Sequence, residues 1–494
     1  MDDLKNLKER TLRAGFAKAL STSLTFIIRV GSMMVLARLL DPKDFGLVAM
    51  VTAVTGIFSL IKDVGLSTVT IQRVTITNEQ VSILFWINVL VGLVQMIVTM
   101  AMAPALALFY SEPSLFWVTI ALAVGLLIDA AGVQHAALLQ RQMRLISLTT
   151  IELFSCVASI AVGIGLAING FGYWALVGMS IMSPAAYTAG VFWTMSWLPE
   201  RPRRQAGIGS MLQFGGTATL SILVNYVATN LEKVLLGRYW GAESLGLYGR
   251  AYQLVSLPTE NINTAFGGIT FPLLSRLQHD PNRFKNYFLN GYAVFISLIF
   301  PISATFALFA DDIIFLFLGP KWKDTVVLFQ LLTPMIIGLA LTRPLGPFLI
   351  SLGMPGRNLR LSLVRAPFLI AACVVAIPYG PKGVALAIST VMVLWVVPMI
   401  AYCIRGTMVS LRDIAGVVAR PFLSVTVGSV LAVAAQFLYG YSLSPIFRLM
   451  LCGGILVVAY LLMLLFVMGQ KAFYLDLMRG VWLRSSAGEK GFVA

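Results

Sequence analysis

Long runs of apolar residues alternate with short polar or Gly/Pro-containing breaks along the whole chain. The runs reach about 18 residues or more, which is long enough for a helix to cross the hydrocarbon core of a bilayer. The pattern predicts about 14 such helices, with approximate limits 17–39, 45–70, 81–108, 115–137, 147–168, 171–195, 210–236, 246–274, 288–309, 325–351, 359–378, 382–404, 418–440 and 447–468. Because this number is even, both ends of the chain are predicted on the same side of the membrane.

The composition supports the membrane assignment. Of the 494 residues, 58% are hydrophobic and 12% are charged, whereas about 25% of the residues in an ordinary soluble domain are charged. A soluble protein of this length could not keep so much apolar surface from water. We therefore expect an all-α polytopic membrane protein. No predicted connection is long enough to hold a separate soluble domain, which needs about 50 residues or more.

The residue types that usually carry chemistry are sparse. The four cysteines stand singly within apolar runs, and the two histidines lie far apart, so we expect neither a disulfide framework nor a metal site. No phosphate-binding loop motif occurs, which predicts that the chain itself does not hydrolyse ATP and needs no cofactor. The polar start, "MDDLKNLKER", predicts that no cleavable signal peptide precedes the first span.

The basic residues give the predicted topology its direction. Of the 36 Lys and Arg residues, 23 fall in the N-terminal tail, the even-numbered connections and the C-terminal tail, seven in the odd-numbered connections, and six within spans. Because cytoplasmic connections carry the excess of Lys and Arg, both termini are expected in the cytoplasm. This asymmetry explains the net charge of +15, and we expect no nucleic-acid partner.

A stretch near the end of the first predicted span recurs 200 residues later. The segments "VLARLLDPKDFGLVAM" (35–50) and "LLGRYWGAESLGLYGR" (235–250) share Leu, Arg, Gly and Leu at equivalent positions. Each is predicted to be the hairpin between the first two spans of a six-helix lobe. Since six spans separate the copies, the lobes have the same orientation and are related by an axis along the membrane normal. A duplicated helix end that is kept only for packing is the alternative.

The repeat predicts three regions. Residues 1–204 form an N-terminal six-helix lobe with a cytoplasmic tail, residues 205–411 form a C-terminal six-helix lobe, and residues 412–494 form two additional helices and a second tail. Matching polar faces support the two lobes, because a polar group facing lipid is costly and one facing a wet cavity is not. These faces consist of Ser21, Thr25, Arg29 and Ser32 in the first span and Ser221, Asn225, Thr229 and Glu232 in the seventh.

Ionisable residues inside predicted spans are candidates for function, since each charge at the bilayer centre costs about 2.5–3.5 kcal/mol on insertion scales. The twelve such residues are Arg29, Lys62, Asp63, Asp129, His135, Glu152, Glu232, Lys233, Arg250, Glu260, Arg343 and Arg365. The cations suit the oxygens of a phosphate-bearing substrate. The predicted binding residues are Arg29, Lys233, Arg250, Arg343 and Arg365, with Ser21, Thr25 and Asn225 in the same cavity. The alternative is that these cations neutralise the intramembrane acids as buried pairs.

Three stretches resemble a known family. The segments "ARLLDPKDFGLVAM" (37–50), "DVGLSTVTIQR" (63–73) and "SLPTENINTAFGGITFPLLSRLQHD" (256–280) are similar to those of bacterial polysaccharide transporters of the Wzx type, in particular to the colanic-acid and succinoglycan exporters. That family belongs to the multidrug/oligosaccharidyl-lipid/polysaccharide flippase superfamily. The resemblance implies two pseudo-symmetric six-helix lobes, two trailing helices and a cationic central cavity to which Arg29 and its neighbours contribute.

The resemblance also implies a function. A family member would export an oligosaccharide repeat unit on undecaprenyl diphosphate across the bacterial inner membrane by alternating access, for exopolysaccharide or lipopolysaccharide biosynthesis, and would not be an enzyme. Membrane lipids, a polysaccharide polymerase and chain-length or export proteins are the implied partners. Coupling to H⁺ or Na⁺ entry is a hypothesis, with Asp63, Glu232 and Glu260 as the candidate acids.

Three rival functions stay open at this point. A multidrug exporter of the same superfamily would carry cations and favour an acidic cavity. A polymer-assembly enzyme, such as a polymerase or ligase, is disfavoured by the short connections. A scaffold that transports nothing is opposed by the costly polar faces within the spans.

Overall fold

The computed structural model describes residues 2–61, 66–73, 76–200, 209–439 and 443–476. Every regular element within these ranges is helical, which confirms the predicted all-α class. The α-helices are α1 (Asp2–Leu39), α2 (Pro42–Ile61), α3 (Leu66–Gln72), α4 (Asn78–Tyr110), α5 (Ser114–Arg141), α6 (Leu145–Ile168), α7 (Trp174–Thr194), α8 (Gly209–Arg276), α9 (Pro281–Leu308), α10 (Ala310–Phe317), α11 (Thr325–Thr342), α12 (Leu345–Ser351), α13 (Pro355–Ala376), α14 (Gly380–Leu394), α15 (Val396–Ile404), α16 (Leu411–Tyr439) and α17 (Pro445–Leu462).

Local sequence explains where several of these helices begin. The backbone N–H of Gln80 donates to Thr77 Oγ1 at 3.2 Å, and the Gln80 side chain accepts from the Thr77 N–H, so a capping box starts α4. Asp280 accepts from the backbone N–H of Arg283 at 3.1 Å, and a proline follows it at the first position of α9. These caps satisfy backbone donors that a helix start leaves without a partner.

The count of membrane-spanning helices agrees with the sequence. Ten segments of the described ranges are long and apolar enough to cross a membrane, and one of them, 356–404, covers two predicted spans. The other predicted spans correspond to α2 and to the two parts of α8. These parts meet at Gly241, whose backbone (φ 79°, ψ 179°) interrupts the helix. Glycine adopts this conformation without the steric cost that a side chain adds.

By internal contacts the chain forms two compact units. The first comprises Met1–Arg250, Phe317–Trp322 and Ala366–Val384. In it α1 packs on α6, while α5 packs on both α4 and α7. The second comprises Ala251–Leu316, Lys323–Arg365 and Ala385–Ala494. In it α9 packs on α11 and α16, and α16 packs on α17.

The odd-numbered connections of the first unit lie together at one end, which we call the odd-loop end. Lys43 Nζ, beside the first connection, lies 3.5 Å from Glu112 Oε1 in the third. Lys321 Nζ, in the ninth, donates to Asp41 Oδ1 at 2.7 Å. These contacts require the three connections to share one side.

The even-numbered connections of the same unit meet at the opposite end, the even-loop end. Arg141 Nη1 donates to the carbonyl oxygen of Thr70 at 2.7 Å. Trp86 Nε1 donates to the carbonyl oxygen of Glu200 at 2.9 Å. The predicted alternation of the chain is thereby confirmed for this unit, while the assignment of the even-loop end to the cytoplasm stays a prediction.

Candidate transport cavity and intramembrane charges

A cavity of ≈ 690 Å³ lies inside the first unit. Six helices contribute to its wall: α1, α2, α4, α5, α6 and α7. Its lining consists of Arg29, Thr52, Thr55, Gly56, Thr99, Leu122, Gly125, Leu126, Asp129, Glu152, Ser155, Cys156, Ser180, Ser183, Pro184 and Tyr187. The volume lies within the range of small-molecule sites, about 300–1,000 Å³.

Charges of both signs face this cavity. Arg29 is exposed to it and stands about ten residues, or roughly 15 Å along the axis, before the end of α1. Asp129 of α5 and Glu152 of α6 are its carboxylates. Tyr187 of α7 lines the same wall and interacts electrostatically with both carboxylates. The described part of the cavity wall therefore offers one cation and two anions to a ligand.

The hydroxyl groups of the wall differ in how they are satisfied. Thr55 Oγ1 donates to the carbonyl oxygen of Val51 at 2.9 Å, within its own helix. Ser180 bonds back to Leu176 in the same way, at 2.8 Å. Thr99 is fully buried, and its Oγ1 has no hydrogen-bond partner in the described ranges. Since a buried polar group without a partner is costly, Thr99 is available to a ligand or a water.

Two further buried polar side chains share the face of α4 that carries Thr99. Asn88 is fully buried and Gln95 is 6% exposed. With Thr99 they are spaced i, i+7 and i+11, which places them on one helix face. Both polar atoms of the Asn88 amide and Oε1 of Gln95 have no hydrogen-bond partner among the residues that the structure describes. This polar face runs from the cavity towards the start of α4.

Of the residues predicted to bind substrate, Arg29 is the one that the structure places in the wall of this cavity. Ser21 and Thr25 lie on the same helix, towards its N-terminus, and are outside the lining. Asn225 lies in α8, and its side chain is outside the described part of the structure, as is all of Asp63.

Glu232 and Lys233 lie on α8 before its bend, elsewhere in the first unit. Glu232 is 6% exposed and interacts with Lys233 and with the Tyr248 hydroxyl. Lys233 Nζ also donates to Asn230 Oδ1 at 2.9 Å. Substrate binding by Lys233 and a buried pair between Lys233 and Glu232 both stay predictions.

Arg250 contacts an aromatic ring. Its guanidinium carbon lies 3.9 Å from the centroid of the Phe45 ring, a cation–π geometry. Arg250 follows the bend of α8 and Phe45 opens α2, so this contact joins the two copies of the hairpin repeat. Neither residue lines the cavity.

The remaining predicted cations lie in the second unit. Arg343 Nη2 is 3.6 Å from Glu260 Oε1, and Arg365 interacts with Arg343 and Tyr252. Arg343 therefore has a carboxylate partner, and a second guanidinium group lies near it. Arg343 lies next to Pro344 at a break in the helix, because α11 ends at Thr342 and α12 begins at Leu345.

Other intramembrane groups are structural. His135 is fully buried, stacks on Phe192 with centroids 3.6 Å apart, and has its Nε2 3.2 Å from the carbonyl oxygen of Trp197. No group of three or more His, Cys, Asp or Glu residues that could hold a metal ion occurs in the described ranges. The four cysteines are free and buried.

Asp129, Glu152, Thr99 and Tyr187 line the cavity but are not among the site residues that the sequence predicts. Asp129 and Glu152 were recognised only as intramembrane acids that could neutralise cations. The signal that could have found them is their depth, since each lies several residues inside an apolar span where an unneeded charge is costly.

Comparisons with known proteins agree with this architecture. A family model described as "Polysaccharide biosynthesis protein" matches residues 35–327. Teichuronic acid biosynthesis protein TuaB of Bacillus subtilis (strain 168) is 26% identical over 348 residues, covering 68% of this chain and 70% of TuaB. Lipopolysaccharide biosynthesis protein WzxC of Escherichia coli (strain K12) is 23% identical over 378 residues, covering 75% of this chain and 76% of WzxC. Among solved structures, the lipid II flippase MurJ in an inward closed conformation superposes with a TM-score of 0.73 at 13% identity, covering 94% of this chain and 99% of MurJ. That likeness shows the fold.

Proposed function

Because the chain belongs to the polysaccharide biosynthesis protein family, we propose that it is a flippase for lipid-linked oligosaccharide. Its cargo is an oligosaccharide repeat unit on undecaprenyl diphosphate, which it moves from the cytoplasmic to the periplasmic leaflet for exopolysaccharide or lipopolysaccharide biosynthesis. It acts as a transporter and not as an enzyme. The relatives TuaB and WzxC are named for polysaccharide biosynthesis, and MurJ is named as a lipid II flippase.

One observation carries the proposal: a guanidinium group in a polar cavity at mid-span. Arg29 is exposed to that cavity, roughly 15 Å from the end of its helix. A guanidinium group can bind phosphate oxygens with two parallel hydrogen bonds. Arg343, which pairs with Glu260, and the neighbouring Arg365 provide a second cationic position for the diphosphate in the second unit.

The membrane potential assists export of such a cargo. Moving a negative charge out of a negative cytoplasm is favoured by about 2.3 kcal/mol per charge per 100 mV. Resetting the empty carrier, or releasing the diphosphate, is coupled in this proposal to H⁺ or Na⁺ entry. The candidate acids are Asp63, Glu232 and Glu260, and the structure adds Asp129 and Glu152 because they line the cavity.

Topology and partners complete the proposal. Residues 1–204 and 205–411 are the two six-helix lobes, 412–494 are the trailing helices and tail, and both termini lie in the cytoplasm of a bacterial inner membrane. A polysaccharide polymerase and chain-length or export proteins receive the exported unit.

A second candidate function is the export of organic cations. The observation that favours it is the excess of carboxylates among the described lining residues of the cavity, where Asp129 and Glu152 accompany one cation, Arg29. A drug-sensitivity panel separates the two functions, because a cation exporter protects cells against cationic drugs and a flippase does not.

The deciding experiment measures lipid-linked oligosaccharide on each membrane face in a strain that lacks this protein. The strain is complemented with the wild type, with Arg29→Ala, or with Arg283→Ala. Arg283 is the matched control, since its side chain is 74% exposed and lies outside the cavity. Loss of a hydrogen-bonded charge worth about 1.5–3 kcal/mol should slow flipping roughly 10- to 100-fold for Arg29→Ala.

We expect accumulation on the cytoplasmic face, with rescue by the wild type and by Arg283→Ala. Rescue by a normally expressed Arg29→Ala would show that Arg29 does not bind the cargo during transport. If lipid-linked units reached the periplasmic face without this protein, the flippase function would be wrong. Unpolymerised units on that face would then point to polymer assembly.

A further inference from the structure

The two copies of the hairpin repeat contact each other through their glycines. A Cβ atom added to Gly46 would lie 1.7 Å from the carbonyl oxygen of Ala242, and one added to Gly246 would lie 1.9 Å from the carbonyl oxygen of Pro42. Gly46 and Gly246 are equivalent in the 200-residue repeat, and so are Pro42 and Ala242. Each copy therefore supplies one glycine and one backbone oxygen to a reciprocal contact.

Neither glycine is needed for its backbone conformation. The glycines with positive φ include Gly241 but not Gly46 or Gly246, which both lie inside regular helix. What requires glycine here is the close approach. Cβ atoms essentially never lie closer than 3.0 Å to such a neighbour, and the atoms that they would meet are backbone. A side chain at either position is thus incompatible with the contact.

The contact lies within a dry cluster of side chains from both copies. The side chains around it are at most 2% exposed: Leu36, Leu40, Met50, Leu236, Leu245 and Tyr248. Trp322 Nε1 donates to the carbonyl oxygen of Ala37 at 2.8 Å beside this cluster, and the Lys321–Asp41 ion pair lies at the same odd-loop end. Water is therefore excluded from these buried side chains at the odd-loop end of the first unit.

We propose that Gly46 and Gly246 are positioning residues that allow the odd-loop end to close during transport. Each lets one hairpin reach the backbone of the other, and a side chain at either position holds the two hairpins apart. The inference rests on the proposed function, because closing and opening one end matters to a protein that exposes a site to each side in turn. A contact that served only folding would predict loss of folded protein rather than a shift towards an open end.

The test measures access from the odd-loop side, without any cargo. Thr52→Cys, an exposed position in the cavity wall, serves as the reporter in a chain whose native cysteines are replaced. A membrane-impermeant thiol reagent is added to spheroplasts, and the rate of labelling is compared for Gly46→Ala, Gly246→Ala and Gly249→Ala. Gly249 is the matched control, since it lies one turn after Gly246 and an added Cβ there meets nothing within 4 Å.

We expect Gly46→Ala and Gly246→Ala to raise the labelling rate by about tenfold. This corresponds to a shift of about 1.4 kcal/mol in the free-energy difference between the closed and the open odd-loop end. Gly249→Ala should label at the rate of the unsubstituted chain. Equal rates in all the chains would overturn the proposal. A raised rate in a protein that moves no lipid-linked oligosaccharide would instead overturn the proposed function, so the two failures are distinguishable.

A second measurement applies if the alanine variants do not accumulate. A reducible cross-link between Asp41→Cys and Lys321→Cys, whose native side chains form the 2.7 Å ion pair, joins the first hairpin copy to the ninth connection at the odd-loop end with both glycines in place. Flipping should stop on cross-linking and return on reduction. Flipping that continues in the cross-linked protein would overturn the proposal, because the odd-loop end would then not need to open.

Discussion

The ion pair between Arg448 and Asp312 joins α17 to α10 within the second unit. Arg448 Nε donates to Asp312 Oδ2 at 2.7 Å, and Nη2 donates to the other carboxylate oxygen. The Asp312 side chain is 3% exposed and the Arg448 side chain is 25% exposed. The pair is therefore buried mainly on the carboxylate side.

This asymmetry predicts unequal costs for the two single substitutions. Arg448→Met leaves a buried carboxylate without its partner. Breaking a buried pair costs about 3–5 kcal/mol of stability. The cost here should be near the lower limit because the arginine is partly exposed. Asp312→Leu leaves an arginine that can move its head towards the interface, so we expect about 1–2 kcal/mol. The double variant Asp312→Leu/Arg448→Met should recover most of the loss, since replacing both charges by apolar groups is often neutral.

The assay is the fraction of purified protein that stays monodisperse in detergent after heating. Arg283→Met is the control, because its pair with Asp280 is exposed, with side-chain exposures of 74% and 48%, and such pairs contribute little. A double variant as unstable as Arg448→Met would refute the reasoning, because the loss could then not come from a stranded carboxylate.

Two further predictions concern single buried groups. Thr99→Val removes a hydroxyl that has no hydrogen-bond partner in the described ranges. The stability of the folded protein should therefore stay the same or rise by up to about 1 kcal/mol, while flipping should slow. Flipping at the wild-type rate would show that no ligand uses this hydroxyl. Trp322→Phe keeps an aromatic ring against Phe45 but loses the donor to Ala37, which should cost about 1–2 kcal/mol in the same heating assay; unchanged stability would contradict a role for that bond.

Most of the helical plan could be predicted from hydrophobic runs, because a membrane leaves helices of limited length as the main solution. The predicted spans 210–236 and 246–274 are the two parts of α8, and the helix is interrupted between them at Gly241, within a connection that also carries Arg238 and Glu243. The predicted span 325–351 is divided in the structure, because α11 ends at Thr342 and α12 begins at Leu345, next to a proline that cannot donate a backbone hydrogen bond.

Less of the candidate site could be predicted. Arg29 was identifiable as a charge on a polar helix face, and the structure places it in a cavity. The pairing of Arg343 with Glu260 joins residues far apart in sequence, so no local spacing reveals it. Asp129 and Glu152 lie in different predicted spans, and the packing of α5 and α6 brings both into one cavity. The predicted binding roles of Arg29, Lys233, Arg250, Arg343 and Arg365 all stay predictions. The resemblance to polysaccharide transporters is confirmed.

The reciprocal contact between the two hairpin copies has a consequence for how this chain can change over generations. After a duplication, one copy is often free to drift while the other keeps the original role. Here a side chain added at Gly46 would collide with Ala242 of the other copy, and one added at Gly246 would collide with Pro42. Neither copy can therefore change independently at these positions. Insertions or deletions between the copies are a separate matter, since the contact depends on where the helices begin and not on the length of chain that joins them. The duplicated positions are thus inherited as one unit, although they lie 200 residues apart.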